Sequence, residues 1–271
     1  MKRTLFAAFV SVVVLVFGND GRMPVLENGI TAHRGDSISF PENSLLAFSS
    51  GCNIGADWIE TDVRKTSDGK LVLMHNPTTE AYCSVKKTVS ECTYEELKSL
   101  DLAENFRIKR NLTFEQCPRQ EIILLEEALD LILKERKSRI SLQPKSDCVD
   151  QVIEMVRSKG AVKWVGFNDM SLKKMARVKE LEPSIIVFWD RGKSDIDEDI
   201  KIARQYRFEY IVLNREVVVP DKVKKLHDAG FKVGVWTEND PIAMKLFLDM
   251  GVDRIYTDNP RVLKKLILSR K

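Results

Sequence analysis

The chain has little that would place it outside ordinary globular proteins. It has no low-complexity tract, no internal repeat and no linker-like segment in its 271 residues. Neither charge sign dominates, with 43 Lys and Arg against 40 Asp and Glu, so a surface built to coat nucleic acid is excluded. No nucleic-acid-binding motif is present. Cysteine is sparse and odd in number: Cys52, Cys83, Cys92, Cys117 and Cys148 cannot all pair within one chain, and the lack of any CxxC spacing excludes a zinc ribbon. Cys83 and Cys92 flank a loop-like stretch and form the preferred pair, with buried thiols acting as small apolar residues the equal alternative. Histidine occurs only at His33, His75 and His227.

No apolar run is long enough to span a bilayer, which takes about 20 residues. The longest, Leu5 to Phe17, follows Lys2 and Arg3 and precedes Gly18-Asn19-Asp20, the pattern of a signal peptide over residues 1–20. The expectation is an exported protein, periplasmic or extracellular, with no membrane span once the leader is removed. The mature domain is then 24–271, long enough for one α/β barrel.

Short β-branched runs alternate with amphipathic helical stretches, as in parallel strands joined by helical crossovers. Eight strands are predicted: Gly29–His33, Trp58–Val63, Arg139–Gln143, Trp164–Phe167, Ile185–Trp189, Tyr210–Asn214, Lys232–Thr237 and Arg254–Thr257. Eight such units predict a (β/α)8 barrel. A ninth run, Leu71–His75, follows the second strand across a short turn containing Ser67-Asp68-Gly69. So short a connection forces an antiparallel hairpin and returns His75 toward the end of the second strand. Between Pro77 and Gln120 the pattern lapses apart from a predicted helix at Thr93–Leu100, and the segment reads as a polar insertion with few buried residues. Asn43-Ser44 can cap a helix over Leu45–Asn53, while Gly230 and Gly251 close helices ending at Asp228 and Asp249.

Barrel enzymes carry their chemistry at the carboxyl ends of strands. There the first strand supplies His33 and Arg34, an imidazole for proton transfer beside a guanidinium for phosphate charge. The second supplies Glu60 and Asp62, which a period of two places on one face as candidate ligands for a hard cation such as Mg2+ or Ca2+. The third supplies Gln143 and Lys145, and the seventh Trp236. His227 falls on an outer helix and is read as a surface residue without a role.

These residues together resemble the glycerophosphodiester phosphodiesterase family. The similarity runs through His33-Arg34-Gly35, Pro41-Glu42-Asn43-Ser44, Ile59-Glu60-Thr61-Asp62-Val63, Ser67-Asp68-Gly69, His75, Val235-Trp236-Thr237, Gly251-Val252-Asp253 and Thr257-Asp258-Asn259-Pro260. The resemblance implies an eight-stranded barrel with an insertion after the hairpin, and hydrolysis of small glycerophosphodiesters to sn-glycerol 3-phosphate and an alcohol. It further implies His33 and His75 as the acid–base pair, Arg34 and Lys145 as phosphate contacts and Trp236 against the glycerol. Glu60, Asp62 and the Gln143 position become the metal ligands. Two residues depart from the family pattern: Gln143 stands where a third carboxylate is usual, and Asn76 where an acid usually follows the second histidine. Those departures motivate a runner-up, a barrel that binds phosphodiesters or serves as an interaction module without turnover. A phospholipase acting on lysolipids is a further alternative, and an apolar rim on the insertion would favour it.

Overall fold

A computed structural model of the chain describes residues 27–270, so the leader expected at 1–20 lies outside the described residues. Eight parallel strands close on themselves: β1 (Ile30–Ala32), β2 (Trp58–Lys65), β4 (Arg139–Pro144), β5 (Val165–Asp169), β6 (Ile186–Arg191), β7 (Tyr210–Asn214), β8 (Lys232–Trp236) and β9 (Arg254–Thr257), with β9 pairing back to β1. The predicted barrel is present, every strand falling within two residues of its predicted bounds. The ninth run is β3 (Leu71–Leu73), antiparallel to β2 with Val63 opposite Leu73. The short turn permits no other arrangement.

Helices cover the outside. In α4 (Leu125–Glu135), the buried residues are Leu125, Ala128, Leu129 and Ile132, and in α5 (Val149–Ser158) they are Val149, Val152, Ile153 and Val156. This 0, 3, 4, 7 spacing lays one stripe on the strands, each large apolar side chain contributing about 1.5–3 kcal/mol on burial. α1 (Leu45–Ile54) starts where Ser44 accepts from the Ala47 amide at 3.2 Å. α8 (Pro220–Asp228) and α9 (Pro241–Asp249) each begin with proline, and Gly230 and Gly251 take positive φ just past their ends.

The barrel interior is filled differently at its two ends. At the amino-terminal mouth Trp58, Tyr210 and Arg254, each the first residue of its strand, meet Phe188. The Arg254 guanidinium lies 5.5–5.8 Å from the centres of the Trp58, Phe188 and Tyr210 rings and donates to Asp57 at 3.3 Å and Thr31 at 2.9 Å. Gly166 makes room for this plug, because a Cβ there would sit 2.8 Å from Phe188 and 2.9 Å from Trp58.

The insertion is less polar than its sequence implies. Val72, Met74, Cys83, Val89, Cys92, Leu97, Leu100 and Ile122 form a second buried cluster, apart from the main core. Besides α2 (Tyr94–Lys98), the core of the helix predicted at Thr93–Leu100, it contains α3 (Glu104–Arg110), which the sequence pattern did not reveal. All five cysteines are buried free thiols. The preferred Cys83–Cys92 pairing is therefore not formed: Cys83 Sγ instead donates to the Val85 carbonyl at 3.3 Å. Among the described residues, no helix is long and apolar enough to cross a membrane.

Candidate active site

The carboxyl-terminal mouth gathers most of the polar residues the sequence singled out. Just past β1, Arg34 takes φ +56° and Gly35 φ +86°, and this left-handed pair turns the chain sharply away from the barrel. A Cβ on Gly35 would meet the Ala47 backbone at 2.6 Å, so the position admits only glycine without displacing α1.

His33 Nδ1 lies 2.7 Å from Asp258 Oδ1, and its Nε2 lies 4.0 Å from Glu60 Oε2. Burial lowers the affinity of this imidazole for a proton, but the Asp258 hydrogen bond and the Glu60 charge outweigh it and hold the pKa above the ordinary value. Asp258 is correspondingly depressed to about 2: burial opposes this, and the His33 contact prevails. Asp258→Asn removes the negative charge and leaves only a neutral amide oxygen to accept from the ring, so His33 is expected to titrate at lower pH than in the wild type. With three histidines in the chain, nitrogen NMR resolves this directly. An unmoved titration would mean that Asp258 does not control the ring.

Glu60 and Asp62 stand two apart on β2 and face inward. Burial and the neighbouring Asp62 push Glu60 up to about 7. Asp62 goes the other way: burial raises it, but Arg34 and Lys145 together hold it below the usual carboxylate range. Its Oδ2 lies 3.4 Å from Arg34 Nε and accepts from Asn43 at 3.0 Å, and its Oδ1 lies 3.3 Å from Lys145 Nζ. Arg34 also pairs with Glu42 at 2.9 Å, and Glu42 accepts from the Tyr82 hydroxyl at 2.8 Å. The cations expected to contact phosphate are thus brought together on a carboxylate expected to bind metal.

His75 lies past β3, where Arg64 Nε donates to its carbonyl at 3.0 Å. Its Nδ1 lies 2.8 Å from the side-chain oxygen of Asn76. That contact makes Nδ1 the donor and leaves Nε2 turned elsewhere. Burial pushes His75 below the ordinary imidazole value; the Asp62 charge opposes this and Arg34 reinforces it. Asn76 therefore orients the ring through a hydrogen bond while supplying no charge.

Gln143 stands in register with Asp62, and its amide nitrogen donates at 3.4 Å to Asp190, a fully buried carboxyl on β6 that burial keeps well above its normal pKa. The amide oxygen is the end left for a cation. Among the described residues, no three His, Cys, Asp or Glu side chains gather closely enough to form a metal site by themselves. Trp236, at the end of β8, lines a cavity of about 580 Å³ with His33, Arg34 and Asp258. Two buried donors, Trp236 Nε1 and Arg34 Nε, have no hydrogen-bond partner among the described residues. A second cavity of about 300 Å³ meets the first at Arg34, Ser37, Glu42 and Arg110.

Sequence reasoning gave no role in the site to Asp258, Glu42 or Asp190, and gave Asn43 only a helix cap. Asp258 lay inside the quoted Thr257-Asp258-Asn259-Pro260 motif, and Asp190 stood one residue beyond a strand predicted to end at Trp189. His227 contacts Asp253 at 2.8 Å on the outer face of the barrel, in keeping with its surface reading.

Known proteins are similar to this chain in sequence and fold over most of its length. The model of the glycerophosphoryl diester phosphodiesterase family matches residues 33–262. A glycerophosphodiester phosphodiesterase of Caldanaerobacter subterraneus subsp. tengcongensis is 28% identical over 242 residues, covering 88% of this chain and 97% of the relative. A glycerophosphodiester phosphodiesterase of known structure from Parabacteroides distasonis superposes with a TM-score of 0.74 at 26% identity, over 89% of this chain and 97% of its own. An Oleispira antarctica phosphodiesterase solved with the product sn-glycerol-3-phosphate superposes at 0.75 with 23% identity, over 88% of this chain and 96% of its own. With the barrel, the histidine–arginine turn and the paired acids in place, the family match over residues 33–262 settles that this chain belongs to the glycerophosphoryl diester phosphodiesterase family.

Proposed function

We propose that this phosphodiesterase hydrolyses glycerophosphodiesters to sn-glycerol 3-phosphate and an alcohol by proton transfer at His33 and His75, with the phosphate held at Arg34 and Lys145. The observation that carries this reading is the junction at Arg34: a buried guanidinium whose Nε–H makes no hydrogen bond, 3.4 Å from Asp62, where the cavity lined by His33 meets the cavity lined by Asn76. A phosphodiester has two arms and one anionic centre, which fits such a junction. The Asp62 charge compensates this guanidinium without a hydrogen bond at Nε, and a phosphoryl oxygen at Arg34 would supply the missing acceptor. The indole N–H of Trp236 would find an acceptor in a glycerol hydroxyl in the same way. The product held by the Oleispira antarctica relative supports glycerol 3-phosphate as the retained half.

The two histidines divide by position and partner. His33 lines the Trp236 cavity and has a carboxylate behind it, an arrangement that orients an imidazole and stabilises the imidazolium formed when Nε2 accepts a proton from the nucleophile. His75 adjoins Asn76, which lines the second cavity, and by that position is the group assigned to protonate the departing alkoxide. Arg34 and Lys145 hold the phosphoryl group between them.

The donor set fits a divalent cation. Asp62 Oδ1 is buried and accepts no hydrogen bond, and Glu60 and Asp62 together place two acids where a positive charge would relieve their repulsion. Glu60, Asp62 and the amide oxygen of Gln143 would hold Mg2+ or Ca2+, which would supply positive charge to the phosphoryl oxygens. The test is release of glycerol 3-phosphate from defined diesters with Mg2+, Ca2+ or chelator, alongside calorimetric metal titration of the wild type and Gln143→Glu. Metal-stimulated release is expected, with affinity tightening about ten- to a hundredfold in Gln143→Glu, the scale on which changes around a metal alter its binding. Release only in Gln143→Glu would replace the hydrolase reading with the binding barrel.

A second reading, action on lysophospholipids, draws on Ile108 and Phe114 of the insertion, which are 69% and 66% exposed. Turnover of lysophosphatidylcholine in the same assay, at a rate above that of the water-soluble diesters, would favour it.

A further inference from the structure

We propose that the smaller cavity is the subsite for the departing alcohol and selects diesters whose alcohol carries an anionic group over those whose alcohol is a quaternary ammonium. The proposal rests on the hydrolase reading above. At about 300 Å³ the cavity lies at the small end of the roughly 300–1,000 Å³ of ligand pockets, the size for a head group. Its walls carry Arg34, Glu42, Tyr82, Phe106, Lys109 and Arg110. The one acid, Glu42, is engaged by Arg34 at 2.9 Å and by the Tyr82 hydroxyl at 2.8 Å, so it offers little free charge to a cation.

A quaternary ammonium is recognised by open aromatic faces. Here the Phe106 ring is already covered by the Arg110 guanidinium, 4.0 Å from its centre. Arg110 is fixed in that pose by donating to the Ile38 carbonyl at 2.9 Å, which leaves its charge without a carboxylate partner among the described residues. Lys109, one residue earlier on α3, likewise makes no ion pair or hydrogen bond among the described residues. Among the described residues, two cations without acidic partners thus face the space next to the phosphate site, Arg110 at the border with the larger cavity and Lys109 in the smaller one alone, and the Phe106 face that would hold choline is filled by Arg110. Opposite charge on the alcohol is attracted and like charge is repelled.

The test is kcat/KM for glycerophosphocholine, glycerophosphoinositol and glycerophosphoinositol 4-phosphate with the wild type, Lys109→Glu and Lys109→Arg. The phosphorylated diester should exceed the choline diester by about tenfold, the scale of two partly exposed charge pairs gained by one substrate and turned to repulsion by the other. Lys109→Glu should shrink that ratio at least about threefold, through KM rather than kcat, and Lys109→Arg should keep it. Equal turnover of all three diesters, a preference for choline, or a ratio that Lys109→Glu leaves unmoved overturns the selectivity while the hydrolase reading stands. No turnover of any diester by the folded, metal-supplied protein overturns both.

Discussion

His33→Ala is expected to lower kcat/KM for glycerophosphodiesters at least about a hundredfold, the minimum effect of deleting a side chain that transfers a proton in the transition state. The loss should fall on kcat, because the cavity walls and Arg34 remain to bind the substrate. His75→Ala should cost a similar factor, and the two losses should not multiply if the residues act as one unit. The pH profile separates a proton carrier from a packing residue. If His33 must be neutral to accept a proton, activity is lost as pH falls through its pKa, which Asp258 and Glu60 hold above the ordinary imidazole value. Asp258→Asn should then move the acid limb to lower pH while leaving the fold intact. Full activity in His33→Ala would show that another group moves the proton.

Asp57→Ala is expected to destabilise the barrel by about 3–5 kcal/mol, the cost of leaving one member of a buried ion pair uncompensated. Asp57 Oδ1 accepts from the Asn28 amide and Oδ2 from the Gly29 amide, both at 2.8 Å, and Oδ2 also takes the Arg254 guanidinium at 3.3 Å. Arg254 is 3% exposed, and its Nε already lacks a partner among the described residues, so no water-facing conformation is at hand when Asp57 goes. For a domain of this size the loss corresponds to a fall of roughly 6–20 °C in Tm, at about 2–4 °C per kcal/mol. Thermal unfolding followed by circular dichroism measures it. The double variant Asp57→Ala with Arg254→Leu should recover part of the loss, because it removes the stranded charge. A single-variant shift of a degree or two would mean that the ring faces of Trp58, Phe188 and Tyr210 compensate Arg254 on their own.

The barrel was legible because its strands are buried on both faces and so read as dense β-branched runs, and because the Ser67-Asp68-Gly69 turn leaves the chain no choice but to reverse. The polar rim was legible for the same reason, since Glu60 and Asp62 interrupt an otherwise apolar strand. The insertion was harder. Its buried residues, Cys83, Val89, Cys92, Leu97 and Leu100, are spaced at neither two nor 3.6, because short turns rather than regular elements bring them together. Asp190 escaped because it sits between Trp189 and Arg191, where a charge pair at the end of a strand looks like the start of a solvated loop. Asn43 was read with Ser44 as a helix cap, but only Ser44 caps. Asn43 turns inward, accepting from the Thr61 hydroxyl at 2.7 Å and donating to Asp62 at 3.0 Å. No local pattern marks a partner held 18 residues away.

The three residues of β3 divide between two interiors: Leu71 and Leu73 pack into the main core, and Val72 points into the cluster beneath the insertion. One short strand therefore serves as the hinge pin between a scaffold and a detachable cap. Substitutions in residues 77–120 leave eight-strand closure intact as long as the alternation at Leu71, Val72 and Leu73 survives, and among the described residues they reach the histidine–arginine turn only through Tyr82 on Glu42 and Arg110 on Ile38. Preference for the alcohol and the chemistry of phosphate cleavage are thereby free to evolve at different speeds in one polypeptide.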